Sequence, residues 1–299
     1  MLGAVHGDEV CGTRAIERLL ADIDQGRVVI ERGLLTLVPV CNPLAYALGR
    51  RQGERNLNRC LRPRENPQDQ EDHLANRLCP WLAAHDVLLD LHSFHTPGEP
   101  FAMVGPHDNT GPLEPFAHAE AEWRLATHLG PTRLVEGWLE TYARGALRRE
   151  ADGVGRDTDP AYGVGTTEYM RSCGGYGITL ECGQHQDPQA PEVAYRAINQ
   201  VLALLGLAPA LPLRPAAPAF QLLSLCEVTD RLHPGDRFVR DWASFDTVRA
   251  GEPIGVRHGG AVVTAPADGH VVFPNPRAEP GQEWFYFARP GRRTGRPSA

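Results

Sequence analysis

Apolar positions in the first two thirds of the chain follow two alternating patterns. Nearly continuous apolar runs occupy residues 2–5, 34–40, 87–92 and 177–183, and such runs predict strands buried on both faces of a sheet. Between them, apolar residues recur every three or four positions, which is the period of an amphipathic helix. Strands alternating with helices predict an α/β fold with a largely parallel sheet.

Residues suited to helix ends occur where these helices are predicted to begin and end. Gly26 ends the first helical pattern, and Asp69 is placed to cap the helix before the run at 87–92. After the run at 177–183, Pro191 opens a further helical pattern, which Gly206 closes. We therefore expect helices to flank the sheet.

The pattern changes at a proline-rich segment. Residues 1–208 are predicted to form the α/β domain, and residues 209–219 a stiff linker. Across residues 220–299, short apolar runs alternate with turn-forming residues such as Asp268 and Gly269, which is typical of a smaller all-β domain.

Composition excludes several classes of protein. The 299 residues are 42% hydrophobic and 22% charged, as in ordinary globular proteins, and the net charge of -7 argues against nucleic-acid binding. The chain has no apolar run of the roughly 18 residues that would cross a membrane. The seven cysteines show no C-x-x-C spacing, which favours reduced thiols over a disulfide framework. The N-terminus has no basic segment followed by an apolar one, as a signal peptide would, so we expect a cytoplasmic protein.

Three side chains form a candidate metal site. His6 and Glu9 are three positions apart, so a helix beginning near Asp8 would turn both toward one point. His92 ends the run at 87–92, at the edge where open α/β sheets place their sites. Two histidines and one carboxylate are the ligand set of a catalytic zinc ion that keeps a position open for water.

Other interpretations of this region remain open at the level of sequence. Asp8 could cap a helix and Glu9 could favour its positive end, which would leave His6 without a role. His95 is an alternative ligand to His92. His185 belongs either to a surface loop or to the surroundings of the site.

Glu181 and an arginine-rich segment add candidate chemistry. A carboxylate within the apolar run at 177–183 is costly unless it has a role, such as that of a general base. Residues 41–63 directly follow the run at 34–40 and contain five arginines, namely Arg50, Arg51, Arg55, Arg59 and Arg62. These arginines form either a solvated loop or, at the mouth of a metal site, a clamp for an anionic substrate.

Five motifs occur in a fixed order: H-G-D-E, N-P, R-N-L-N-R, D-L-H-S and L-E-C-G. Together they resemble the succinylglutamate desuccinylase/aspartoacylase family of the zinc carboxypeptidase-like superfamily, and the resemblance covers nearly the whole chain. It implies a mixed, largely parallel sheet flanked by helices, with a smaller all-β C-terminal domain. The segment A-P-A-D-G-H is similar to that of many bacterial members other than the aspartoacylases and desuccinylases proper.

The resemblance implies a role for each residue that matches a family motif. His6, Glu9 and His92 match the ligands of one zinc ion per chain, and Glu181 matches the general base that activates water. Arg51 matches the arginine that polarises the scissile carbonyl and stabilises the oxyanion.

Further matches concern substrate binding. Asn58 and Arg59 match the pair that holds the substrate carboxylate, and Arg171 matches another arginine that contacts the substrate. Tyr286 is a candidate for a tyrosine contributed by the C-terminal domain.

The implied function is zinc-dependent hydrolysis of the amide bond in a small N-acyl amino acid or a related carboxylate-bearing amide. The implied partner is this small molecule, with no nucleic acid and no membrane. Alternatives are a carboxypeptidase-type metallopeptidase and a catalytically silent binding protein of the same fold. A homo-oligomer is compatible with the sequence, which does not set the oligomeric state.

Overall fold

The computed structural model describes residues 1–151 and 158–292 of the chain. The α-helices of these residues are α1 (Cys11–Asp24), α2 (Pro43–Leu48), α3 (Gln70–Ala83), α4 (Ala119–His128), α5 (Trp138–Ala151), α6 (Thr166–Ser172) and α7 (Ala190–Leu204). The strands are β1 (Leu2–Gly3), β2 (Val87–Phe94), β3 (Phe101–Met103), β4 (Arg133–Glu136), β5 (Tyr176–Gln184), β6 (Gln221–Asp230), β7 (Arg237–Phe238), β8 (Thr247–Val248), β9 (Pro253–Val256), β10 (Val262–Thr264), β11 (Gly269–Val272) and β12 (Glu283–Pro290).

Nine strands form one mixed sheet, in the order β1-β2-β5-β3-β4-β6-β12-β11-β8. The pairs β1–β2, β2–β5, β3–β4 and β4–β6 are parallel. Leu89 and Leu91 of β2 pack in a core with residues of α1, α4 and α7, whereas Leu88 packs in a second core with residues of α3 and α6. Since successive strand residues face opposite sides, helices cover both faces, and the predicted fold class is confirmed.

The strands and helices nearest the predicted site lie where the sequence places them. β2 and β5 contain the apolar runs at 87–92 and 177–183. The Asp69 side chain accepts a hydrogen bond from the Asp72 backbone and caps α3, as predicted. No helix of the described residues is long and apolar enough to cross a membrane.

The prediction of a central strand at residues 34–40 is wrong. This segment lies beside β1, and only Val38 forms an isolated bridge, to Leu2. Pro39 has no backbone N–H, so it cannot continue a ladder of hydrogen bonds, and Leu34 is 71% exposed. The segment is therefore an irregular edge of the sheet.

The strand-rich C-terminal part shares the large sheet with the rest of the chain. Residues 209–219 contain no helix or strand, and β6, which follows them, pairs in parallel with β4. Strands β10, β9 and β7 form a separate three-stranded sheet. The division at residue 208 stays a prediction, and residues 293–299 of the proposed C-terminal domain lie outside the described residues.

Limited proteolysis tests this division. We expect a protease of broad specificity to cut within residues 212–215, which are exposed. The two fragments should stay together in gel filtration because β6 is hydrogen-bonded to β4. Fragments that separate without denaturant would show that the two parts hold together only through the linker.

Candidate active site

A tight turn, and not the start of a helix, brings His6 and Glu9 together. The backbone N–H of Glu9 donates to the carbonyl oxygen of His6 at 3.2 Å, and α1 begins two residues after Glu9 without a side-chain cap. The expectation that a helix begins near Asp8, and the alternative that Asp8 caps it, are both wrong. Gly7 lets this turn pack closely against α2, because a Cβ there would lie 2.0 Å from the carbonyl carbon of Ala45.

The three predicted ligands converge at the end of β2. Nδ1 of His6 lies 2.8 Å from one oxygen of Glu9, and Nδ1 of His92 lies 2.8 Å from the other. The two imidazole rings are 5.0 Å apart and nearly perpendicular, and all three side chains are buried. One carboxylate therefore faces two ring nitrogens.

The far nitrogen of each ring lies close to an oxygen atom. Nε2 of His6 is 3.1 Å from Oδ1 of Asn56, and Nε2 of His92 is 2.9 Å from Oδ2 of Asp90. With a cation bound, an acceptor near Nε2 would favour the tautomer protonated there and leave the lone pair of each Nδ1 for the ion. Histidines that bind zinc are commonly oriented in this way, so the donor set fits such an ion.

Burial and neighbouring charges set the protonation of this group. Burial lowers the pKa of His6 to about 4, which keeps its ring neutral. Burial would also lower the pKa of His92, but Asp90 and Glu9 raise it well above its ordinary value. The two rings hold the pKa of Glu9 well below its usual range, against the opposing effect of burial. Glu9 is therefore an ionised carboxylate, as a cation ligand must be.

Glu181 lies beside the ligands on the neighbouring strand. β2 and β5 pair so that Glu181 is opposite His92 in the register. The side chain is buried, and its Oε2 has no hydrogen-bond partner among the described residues. Burial and the nearby charge of Glu9 raise the pKa of Glu181 well above its ordinary value. A carboxyl group so placed holds a proton more readily than a free glutamate does, which suits it to proton transfer.

A buried glutamate organises the arginine-rich segment. The Glu71 carboxylate, in the first turn of α3, accepts hydrogen bonds from the side chain of Asn42 and from the backbone of Gly53, Glu54 and Arg55. The segment is therefore held to α3 rather than free in solvent.

Of the five arginines in this segment, Arg51 and Arg59 line the cavity. Nη1 of Arg51 lies 3.2 Å from Nδ1 of His6 and 3.1 Å from an oxygen of Glu9. Arg55 instead bonds to Asp69 and Asp72. Of the five arginines predicted to clamp an anionic substrate, Arg51 and Arg59 are therefore the two that can reach a molecule in the cavity.

Arg59 is buried against aromatic rings. Its guanidinium carbon lies 4.9 Å from the ring centre of Trp138, and Nη2 is 3.7 Å from a carboxylate oxygen of Glu283. Asn58 precedes it, and the Asn58 side chain accepts a hydrogen bond from the backbone of Thr166. Asn58 therefore joins the arginine segment to the start of α6.

Arg171 lines the same cavity but is already paired. It bonds to Glu122 at 2.8 Å and to Glu114 at 2.8 Å, and lies 3.4 Å from Glu168. A further bond goes to the backbone carbonyl of Gly177. These contacts support a structural role, and direct contact between Arg171 and a substrate stays a prediction.

Tyr286 on β12 reaches the cavity from the strand-rich C-terminal part. Its hydroxyl is buried without a hydrogen-bond partner among the described residues, and its ring lies 5.2 Å from that of Trp138. The cavity has a volume of about 1060 Å³ and is bordered by all nine residues to which the family resemblance assigns a role. It can hold a small organic molecule.

Sequence reasoning assigned no role to Asp90, Asn56, Glu71 or Trp138. The role of Asp90 could have been predicted, because it lies two residues before His92 on one strand and such residues share a face. The other three act through contacts between distant segments, which spacing along the chain does not reveal.

Several solved structures share this fold. A succinylglutamate desuccinylase/aspartoacylase from Rhodobacter sphaeroides is 20% identical, with a TM-score of 0.71 over 98% of this chain and 85% of the other. The product-bound ectoine utilization protein EutE (DoeB) from Ruegeria pomeroyi is 20% identical, with a TM-score of 0.69 over 97% and 84%. A succinylglutamate desuccinylase from Vibrio cholerae is 17% identical, with a TM-score of 0.70 over 97% and 80%.

The sequence itself is matched at the level of a family. No functionally curated protein matches the chain. The sequence profile of the succinylglutamate desuccinylase/aspartoacylase catalytic domain matches residues 1–205, which include His6, Glu9, His92 and Glu181. Since this match covers more than half of the sequence, the chain belongs to the succinylglutamate desuccinylase/aspartoacylase family.

Proposed function

We propose that this protein is a zinc-dependent hydrolase that cleaves the amide bond of a small N-acyl amino acid or a related carboxylate-bearing amide. The observation that carries the proposal is the convergence of His6 and His92 on Glu9, next to the unpartnered carboxyl of Glu181. Membership of a family of deacylases supports the same class of reaction.

His6, Glu9 and His92 would hold the zinc ion. When bound, zinc acts as a Lewis acid and lowers the pKa of water at its open position to about 7. Glu181 then accepts the proton of the attacking water at Oε2, the buried oxygen that has no hydrogen-bond partner among the described residues. The protonated Glu181 next donates this proton to the nitrogen of the departing amine.

Arg51 supplies positive charge where negative charge develops. Its guanidinium lies beside His6 and Glu9 and would therefore be next to the scissile carbonyl of an amide bound at these ligands. Hydrogen bonds from Arg51 to the carbonyl oxygen would strengthen as the tetrahedral intermediate forms. Arg59 and Asn58, which also border the cavity, would hold the substrate carboxylate.

The shape of the cavity favours a small substrate over a peptide. Tyr286 and Glu283 of β12 form part of its wall, so the strand-rich C-terminal part limits the space beyond the predicted ligands. A carboxypeptidase needs an open cleft for a chain that extends away from the site. The solved relative EutE is described as product-bound, which is consistent with a small-molecule site in this fold.

A hydrolysis screen tests the proposal. Protein stripped with a chelator and reloaded with zinc should release amines from one or more N-acyl amino acids, and the stripped protein should not. Peptides with a free C-terminus serve as the competing substrates. Cleavage of peptides alone would favour the metallopeptidase, and binding of N-acyl amino acids without turnover would favour the silent binding protein.

We further propose that the protein works in the cytoplasm. All seven cysteines are free thiols, and four of them are buried, namely Cys11, Cys41, Cys79 and Cys182. A reducing compartment keeps such thiols from forming disulfides.

A further inference from the structure

A second group of metal-binding side chains lies close to the proposed zinc ligands. The ligand atoms of Asp8, His95 and His185 all lie within 4.8 Å of one another. The two imidazole rings are 4.5 Å apart and nearly perpendicular. His95 and His185 also border the cavity, so this group opens toward the same space.

Two atoms of this group are buried without a hydrogen-bond partner in the part of the chain that the structure describes. They are Oδ1 of Asp8 and Nε2 of His185. Nε2 of His185 lies 3.9 Å from Oδ2 of Asp8, which is too long for a hydrogen bond. Two ligands on a tetrahedral zinc ion are separated by about 3.3 Å, given bonds of about 2.0–2.1 Å, so a small contraction would suit an ion between them.

His185 is held in an orientation that suits a ligand. Its Nδ1 lies 2.8 Å from the hydroxyl of Ser93, and its backbone N–H donates to the carbonyl of Phe94 at 2.9 Å. If Nδ1 donates to the hydroxyl, the lone pair of Nε2 is left toward Asp8. Ser93 also donates its backbone N–H to Glu9 at 3.1 Å and so lies between the two groups.

Ordinary structural roles do not account for this cluster. Asp8 does not cap α1, which has no side-chain cap. Partial desolvation, then the neighbouring His185 and Arg51, lower the pKa of His95, which favours the neutral ring that a metal ligand requires. Imidazole nitrogens and a carboxylate oxygen are donors that zinc and similar ions accept.

We propose that Asp8, His95 and His185 form a second binding site for a divalent transition metal such as zinc, separate from the ion proposed at His6, Glu9 and His92. Two imidazoles and one carboxylate leave a coordination position open toward the cavity. The site belongs to the same cavity as the proposed reaction, but its existence does not depend on which bond the enzyme cleaves.

The test is the number of zinc ions bound by the full-length, chelator-stripped protein, measured by calorimetric titration and by elemental analysis after gel filtration. We expect two equivalents per chain for the wild type. His95→Ala should reduce the count to one, and because His95 is exposed this variant is expected to fold. His6→Ala combined with His92→Ala should also retain one equivalent, bound at the second site.

His258→Ala is the matched control. His258 stacks on His233 with ring centres 3.8 Å apart, so it belongs to another close pair of histidines, far along the chain from the site. This variant should still bind two equivalents. A wild-type count of one that His95→Ala leaves unchanged would overturn the second site. A failed hydrolysis screen would not, since the count is independent of turnover.

Discussion

Replacing Glu181 with glutamine is expected to lower kcat by about 10²–10⁴-fold, which is the usual contribution of a positioned general base. The amide has the same shape but cannot accept the proton of the attacking water. Zinc content should stay at the wild-type level, because Glu181 is not among the ligands proposed for either metal site. Steady-state kinetics and elemental analysis of the same preparation measure both quantities.

The variant should also be at least as stable as the wild type. The Glu181 carboxyl is buried, and its Oε2 has no hydrogen-bond partner among the described residues, so a neutral amide removes an unfavourable buried acid. Glu140→Gln is the matched control, since Glu140 borders the same cavity but its side chain is 76% exposed. Unchanged turnover in Glu181→Gln would remove Glu181 from the mechanism.

The sequence predicts the parts of the fold that repeat a simple pattern. β2 and β5 are largely apolar, which predicts their burial, and the carboxyl ends of the two parallel strands place His92 beside Glu181. The segment at 34–40 has the same composition, yet it lies at the edge of the sheet. Whether such a run becomes a central strand depends on which strands pair with it. Its own composition does not specify those partners.

In the candidate site, too, the sequence predicts contacts between nearby residues better than contacts between distant segments. His6 and Glu9 converge as predicted, but through a tight turn rather than a helix, because spacing specifies proximity and not backbone conformation. Arg171 illustrates what the sequence leaves out. Glu168 is a local partner on the same helix, but Glu114 and Glu122 are distant in sequence, and only the fold shows that they already engage its donors.

We expect Arg51 and Arg59 to make the enzyme prefer a substrate with a carboxylate over its neutral carboxamide analogue. Wild-type kcat/KM should be roughly 10- to 100-fold higher for the N-acyl amino acid, since a hydrogen bond to a charged group contributes about 1.5–3 kcal/mol. Arg59→Ala should mainly raise KM for the acid, because it removes binding common to substrate and transition state. Arg51→Ala should instead lower kcat by about 10²–10³-fold, as the loss of an oxyanion donor does.

The two substrates and the Arg59 variant together form a double-mutant cycle. If Arg59 binds the carboxylate, the preference for the acid over the amide should largely disappear in Arg59→Ala. Arg50→Ala is the control, because Arg50 lies in the same segment but is exposed to solvent, and its preference should equal that of the wild type. Arg59 also packs on Trp138, so thermal melting of each variant separates lost binding from lost structure. Equal cleavage of acid and amide by the wild type would show that the cavity does not recognise a carboxylate and that Arg51 and Arg59 act only on the scissile group or on the fold.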